Sequence, residues 1–217
     1  MKRYVAELIG TFIMVFCGTG AMVINEQTGG AVTHVGVAIT WGLVVMSLIY
    51  ALGEVSGAHM NPSVSIAFTL AGRFEIKQLL PYIISQLLGA CLASLTLKLL
   101  FPAEVTLGAT LPTGSAMQSF VLEGLLTFFL MLVILNVAHG SKEQGLFAGI
   151  AIGAVVGLEA MFAGPVCGAS MNPARSIAPA LVSGHLQNLW LYIVAPVLGA
   201  GIAVPVFNYL KPSPRPM

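Results

Sequence analysis

Apolar residues gather into six long blocks, at 4–24, 34–52, 78–100, 119–138, 145–162 and 186–208, separated by short polar or glycine-rich connections. Each block is close to the roughly 20 residues that an α-helix needs to cross the hydrocarbon core of a bilayer, so the pattern predicts six membrane-spanning helices. Two further apolar runs, 61–71 and 172–182, are too short to cross, and both open with Asn-Pro. Asn is a favoured helix N-cap and Pro a favoured first helical residue, so each run is expected to form a half-helix.

The two halves of the chain repeat each other. At an offset near 111, the decamer from Gly53 to Pro62 (GEVSGAHMNP) pairs with that from Gly164 to Pro173 (GPVCGASMNP), identical at seven of ten positions. The match extends to Tyr82, Ile83, Leu88, Gly89, Ala90 and Ala93 against Tyr192, Ile193, Leu198, Gly199, Ala200 and Ala203, and to Glu7, Thr11 and Phe12 against Glu123, Thr127 and Phe128. The chain therefore reads as two copies of a three-span unit, about 1–105 and about 115–210. A unit with an odd number of spans places its second copy upside down relative to the first, about a pseudo-twofold axis in the membrane plane. Both decamers are expected to lie in connections rather than spans. The half-helices after them would then dip in from opposite faces and meet with their N-termini near the midplane. Non-helical backbone at that depth is tolerated only where it is buried in protein or lines a wet cavity.

Composition agrees with a membrane chain. Of 217 residues 57% are hydrophobic and only 8% charged, whereas charged residues make up about 25% of an ordinary soluble domain. All acids are Glu, and the basic residues form no cluster that could grip nucleic acid. Lys2, Arg3, Arg73, Lys77, Lys142, Lys211 and Arg215 lie in four segments on one side of a six-span layout, which the positive-inside rule makes cytoplasmic, both termini included. Lys2 and Arg3 before an apolar stretch resemble a secretory signal, but Glu7 at its start, with its mate Glu123, keeps the segment within the fold. Cys17, Cys91 and Cys167 show no metal or redox spacing, so neither metal nor cofactor is expected.

The meeting point of the half-helices carries two positive dipole ends and the side-chain amides of Asn61 and Asn172. Such a site disfavours cations and offers hydrogen bonds to an acceptor oxygen. With no carboxylate or His pair beside it to bind a driving ion, passive movement of a neutral solute is the expected activity. A coupled transporter also uses inverted repeats and half-helix ends, but no coupling-ion site is visible. An intramembrane enzyme would need a nucleophile, metal or paired-aspartate motif. None is present, and no catalytic residue is assigned.

These residues resemble the aquaporin, or major intrinsic protein, family over essentially the whole chain. Its doubled Asn-Pro-Ala signature matches Asn61-Pro62-Ser63 and Asn172-Pro173-Ala174, with Arg175 following; Ser63 is a departure that leaves cap and dipole intact. The resemblance implies an all-α membrane protein with six transmembrane helices and two re-entrant half-helices. It would be one channel domain over 1–217, assembled as a homotetramer with a pore in each protomer, in the plasma or inner membrane. It also implies a selectivity filter at positions matching Trp41, Ala160, Ala169 and Arg175. A large indole, two methyl groups and one guanidinium make a wider slot than the Phe and His ring of water-selective members. Together with Ser170 to Ser176, this looks closest to nodulin-26-like proteins or their bacterial relatives. The implied cargo is glycerol or other small polyols, neutral metalloid acids such as arsenite, and water, with protons and ions excluded; a water-selective channel is the alternative.

Five further residues carry expectations. In the family, carboxylates matching Glu7 and Glu123 hold the re-entrant loops. Glu159 is expected to pack behind the filter against a loop donor, and His59 to be a fixed hydrogen-bonding residue of its loop. Cys167 is expected close to the outer pore, where a mercurial could reach it.

Overall fold

The computed structural model describes residues 1–138 and 145–210. Lys142, Lys211 and Arg215, three of the basic residues used for orientation, lie outside the described residues. Eight helices are present among the described residues: α1 (Lys2–Gln27), α2 (Thr33–Ser56), α3 (Pro62–Leu70), α4 (Ile76–Leu100), α5 (Ala116–Val137), α6 (Ala148–Cys167), α7 (Pro173–Ser183) and α8 (Leu191–Leu210). Six of them are long and apolar enough to cross a bilayer. The half-helices α3 and α7 have 9 and 11 residues. At about 1.5 Å per residue each reaches roughly halfway through a core about 30 Å thick.

Packing follows the repeat. α1 lies on α4 and α2 as α5 lies on α8 and α6. α3 packs on α8 as α7 packs on α4, and α2 meets α6 across the pseudo-axis. That last crossing is tight because the repeat mates Gly42 and Gly153 face each other. A Cβ on Gly42 would sit 2.7 Å from the Gly153 carbonyl oxygen, and one on Gly153 2.6 Å from that of Gly42. Small residues of this kind let membrane helices approach backbone to backbone.

The spans differ from the sequence expectation at their ends. The first four residues of each decamer are not loop: Gly53 to Ser56 complete α2, and Gly164 to Cys167, Pro165 included, complete α6. Pro165 lacks the N–H that would bond the Met161 carbonyl. His34 Nε2 takes over, donating to Met161 O at 2.6 Å, so the helix runs on. The glycines that stop these helices are the second of each decamer, Gly57 (φ 84°) and Gly168 (φ 87°), in the left-handed cap conformation.

Candidate functional site

Past these caps both loops take the same strained path. Ala58 and Met60 have φ of 47°, and their mates Ala169 and Met171 have 41° and 54°. A non-glycine residue in this region costs about 1–2 kcal/mol, so the surroundings must impose it. The buried carboxyls of α1 and α5 do so. Glu7 Oε1 accepts from Ser56 Oγ (2.7 Å) and His59 N (2.9 Å), and Oε2 from Met60 N (2.7 Å) and Gln86 Nε2 (2.8 Å). Glu123 holds the mates, accepting from Ser170 N and Met171 N, each at 2.8 Å. Tyr82 and Tyr192 donate from their hydroxyls to the carbonyls of Ser56 and Cys167, pinning the ends of α2 and α6 in the same way.

The half-helices begin as Asn-Pro predicts. Asn61 Oδ1 accepts from Ser63 N at 2.9 Å, while Asn172 Oδ1 accepts from Ala174 N at 3.0 Å and Arg175 N at 3.4 Å. The caps are also laced together. Asn61 Nδ2 donates to Met171 O and Asn172 Nδ2 to Met60 O, both at 2.8 Å. Each amide thus fixes the opposite loop and keeps a second N–H. Ser63 Oγ is buried without a hydrogen-bond partner among the described residues, so the departure from Ala adds an unsatisfied hydroxyl.

Both asparagines line a cavity of about 170 Å³ bordered by α2, α5, α6 and the two loops. One wall is aliphatic, with Val45 and Ile49 of α2, Ile152 and Val156 of α6 and Leu130 of α5. The facing wall is loop, from Gly57 to Asn61 and from Ala169 to Asn172. An apolar wall opposed by backbone and two amide donors suits a small molecule with hydroxyls on one edge.

Trp41, Ala160, Ala169 and Arg175 all reach this cavity, so the structure brings the four expected filter residues together. The Arg175 guanidinium lies over the Trp41 ring, 4.9 Å from its centroid. Arg175 is only 2% exposed, and Nη1 donates to Gly108 O at 2.7 Å while Nη2 approaches Met22 Sδ at 3.3 Å. The indole is seated on Gly18 of α1, where a Cβ would collide with three of its ring carbons. Gly18 and Gly108 were not expected as contributors. Neither belongs to a repeated motif, and each matters through a contact between distant segments.

The remaining expectations divide. His59 lines the cavity, with Nδ1 3.0 Å from Ser65 Oγ and its ring stacked on Phe68, a fixed residue as expected. Glu159 is 1% exposed and off the cavity wall, but neither carboxyl oxygen finds a donor among the described residues. The expected loop donor is absent because the nearby N–H groups of Ser170 and Met171 already serve Glu123. Cys167 is fully buried, with Sγ 3.5 Å from Ala163 O in its own helix, rather than at the pore. No group of three or more metal-ligating side chains occurs among the described residues.

The family profile described as Major intrinsic protein matches residues 1–207. Aquaporin NIP1-1 of Zea mays is 47% identical over 218 residues, covering all of this chain and 77% of the relative. Nodulin-26 of Glycine max is 44% identical, covering all of this chain and 80% of that one. Among solved structures, that of the aquaglyceroporin from Plasmodium falciparum superposes with a TM-score of 0.84 at 27% identity, covering 96% of each chain.

Proposed function

The chain belongs to the major intrinsic protein family, whose members are multi-pass membrane channels that work passively and are not enzymes, and from that premise we propose which solutes this one admits. It passes small uncharged polyhydroxy molecules: glycerol and similar polyols, neutral metalloid acids such as arsenite, and water. Protons and ions are excluded. The observation that carries this reading is the composition of the slot. Trp41 supplies a flat apolar face, Ala160 and Ala169 contribute only methyl groups, and Arg175 supplies the charged donors.

Selection then has a simple physical form. A polyol places its carbon edge along Trp41 and the aliphatic wall. Its hydroxyl oxygens accept from Arg175 and then from the free N–H of Asn61 and of Asn172. Each donor is buried in the channel lining, so a solute without matching acceptors displaces its water and leaves it unpaired. Cations meet a guanidinium and two half-helix N-termini, all positive. Protons hopping along a water file meet the two asparagine donors, which force the central water to orient by accepting.

The same reading gives the chain one channel domain over 1–217, of two repeats at about 1–105 and about 115–210. Both termini are cytoplasmic in a plasma or inner membrane, and the assembly is a homotetramer with one pore per protomer. Glu7 and Glu123 are its loop supports, and Asn61-Pro62-Ser63 and Asn172-Pro173-Ala174 are its central motifs.

Stopped-flow light scattering on proteoliposomes tests the solute class. Parent vesicles should shrink in an impermeant osmolyte and reswell as glycerol enters. The double substitution Trp41→Phe with Ala160→His should abolish glycerol entry and keep water flux. Water flux alone in the parent would mean a water-selective channel.

A further inference from the structure

The connection from α4 to α5, residues 101–115, has no counterpart in the repeat, yet among the described residues it supplies the one strong acceptor for the Arg175 guanidinium, Gly108 O at 2.7 Å. The sulfur of Met22 is a weak acceptor by comparison. Where the guanidinium rests in the slot therefore depends on where the Gly108 carbonyl is held.

That carbonyl ends a short chain of hydrogen bonds. Glu104 is 4% exposed, and its Oε1 accepts from Thr106 N at 3.3 Å and from Thr106 Oγ1 at 3.2 Å. Thr106 Oγ1 in turn accepts from Gly108 N at 3.3 Å. Lys98 Nζ clamps the start of the loop, donating to Pro102 O at 3.0 Å and Glu104 O at 3.1 Å. Between them Leu107 is fully buried at φ 52°, a strained conformation that persists only when its neighbours impose it. Beyond Gly108, Thr110 Oγ1 donates to Ser176 Oγ at 2.7 Å, so the loop also grips the residue after Arg175.

We propose that Glu104 is a positioning residue for Arg175: it fixes the turn through Thr106 to Gly108 and so sets the width and donor direction of the solute slot without touching the solute. The inference rests on the slot being the site of selection. It makes the unrepeated loop a specificity element of the channel.

The experiment compares parent, Glu104→Ala, Glu104→Gln and Thr106→Val in proteoliposomes, reading the ratio of glycerol to water permeability, water permeability per reconstituted protein, and proton leak. Glu104→Gln keeps a side-chain oxygen for Thr106 and should keep the parent values. Because the carboxyl of Glu26 lies against that of Glu104, this variant also separates an acceptor role from a charge effect. Glu104→Ala should shift the ratio by about fivefold, the factor that one ordinary hydrogen bond carries. Thr106→Val, which removes the hydroxyl joining Glu104 Oε1 to Gly108 N and leaves only the Thr106 N–H on the carboxyl, should shift it in the same direction and serves if the alanine variant does not fold.

A merely structural role would lower water and glycerol fluxes by one common factor. An unchanged ratio in both Glu104→Ala and Thr106→Val, or a Glu104→Gln shift equal to that of the alanine variant, overturns the proposal. If the parent passes water alone, the solute reading fails by itself. The positioning role is then read from water permeability per protein and proton leak, which Glu104→Ala must change and Glu104→Gln must not.

Discussion

Removing the carboxyl of Glu7 or of Glu123 tests whether the strained pore loops are imposed from behind. In Glu123→Ala the N–H groups of Ser170 and Met171 lose their acceptor. Each buried, unpaired donor costs about 1–3 kcal/mol, giving about 2–6 kcal/mol for the pair. Glu7→Ala strands the equivalent N–H groups of His59 and Met60, and also the Ser56 hydroxyl and one Gln86 amide hydrogen. The two further stranded donors add about 2–6 kcal/mol. Against a total stability of about 5–15 kcal/mol, Glu7→Ala should fail to yield a folded channel, while Glu123→Ala should survive in weakened form. The assay is thermal unfolding of purified protein in detergent, followed by water flux per protein in vesicles. Glu123→Ala should melt well below the parent and leak protons, because freeing Met171 lets the carbonyl that receives Asn61 Nδ2 drift. Equal losses for the two variants would refute the counting of donors. A Glu123→Ala channel with parental stability and selectivity would refute the claim that the carboxyl imposes the loop.

Gly18→Ala puts a methyl group into the Trp41 indole. It should cost about 1–3 kcal/mol of stability through overpacking, and should change the glycerol-to-water ratio in the vesicle assay; an unaltered ratio would mean that the indole does not border the slot. Ser63→Ala removes a buried hydroxyl with no partner among the described residues. It should raise the unfolding midpoint by about 2–4 °C for each kcal/mol recovered, with flux unchanged. Asn172→Ala removes the cap on Ala174 N and Arg175 N together with the tie to Met60 O. It should increase proton leak more than Asn61→Ala, whose side chain caps only Ser63 N; a larger leak from the Asn61 variant would contradict the asymmetry of the caps.

What is legible in the sequence is what the chain says twice. A helix start, a supporting carboxyl and a close-packed glycine each occur at mated positions, so Asn61 with Asn172, Glu7 with Glu123 and Gly89 with Gly199 stand out by repetition. The loop conformations at Ala58, Met60, Ala169 and Met171 left no such trace, because alanine and methionine carry no preference for positive φ. Gly18 and Gly108 were hidden for another reason. Their importance comes from what another segment places against them, the Trp41 ring in one case and the Arg175 guanidinium in the other. Glu159 shows the opposite failure. A carboxyl in a span implied a donor, and the two backbone donors of the adjacent loop were already taken.

The departures from symmetry fall on the side of the channel where the proposed slot lies. Carrying the proposed slot through the repeat turns Trp41 into Ile152, Ala160 into Ile49, Ala169 into Ala58 and Arg175 into Val64, and all four mates line the same cavity. The inverted copy of the slot therefore lines the same cavity, but its side chains are wholly aliphatic. Among the described residues, a solute crossing there has loop backbone and His59 to bond with. An aliphatic ring bounds size and little else, whereas a guanidinium against an indole distinguishes a chain of hydroxyls from a bare hydrocarbon. The same half holds the connection 101–115, which has no mate and which fastens Arg175 through Gly108. Scaffold duties such as capping, loop support and helix crossing tolerate duplication, because both copies must do the same work. Discrimination between solutes needs to occur only once along the path, and a second cationic ring would add a barrier to dissociation without adding information.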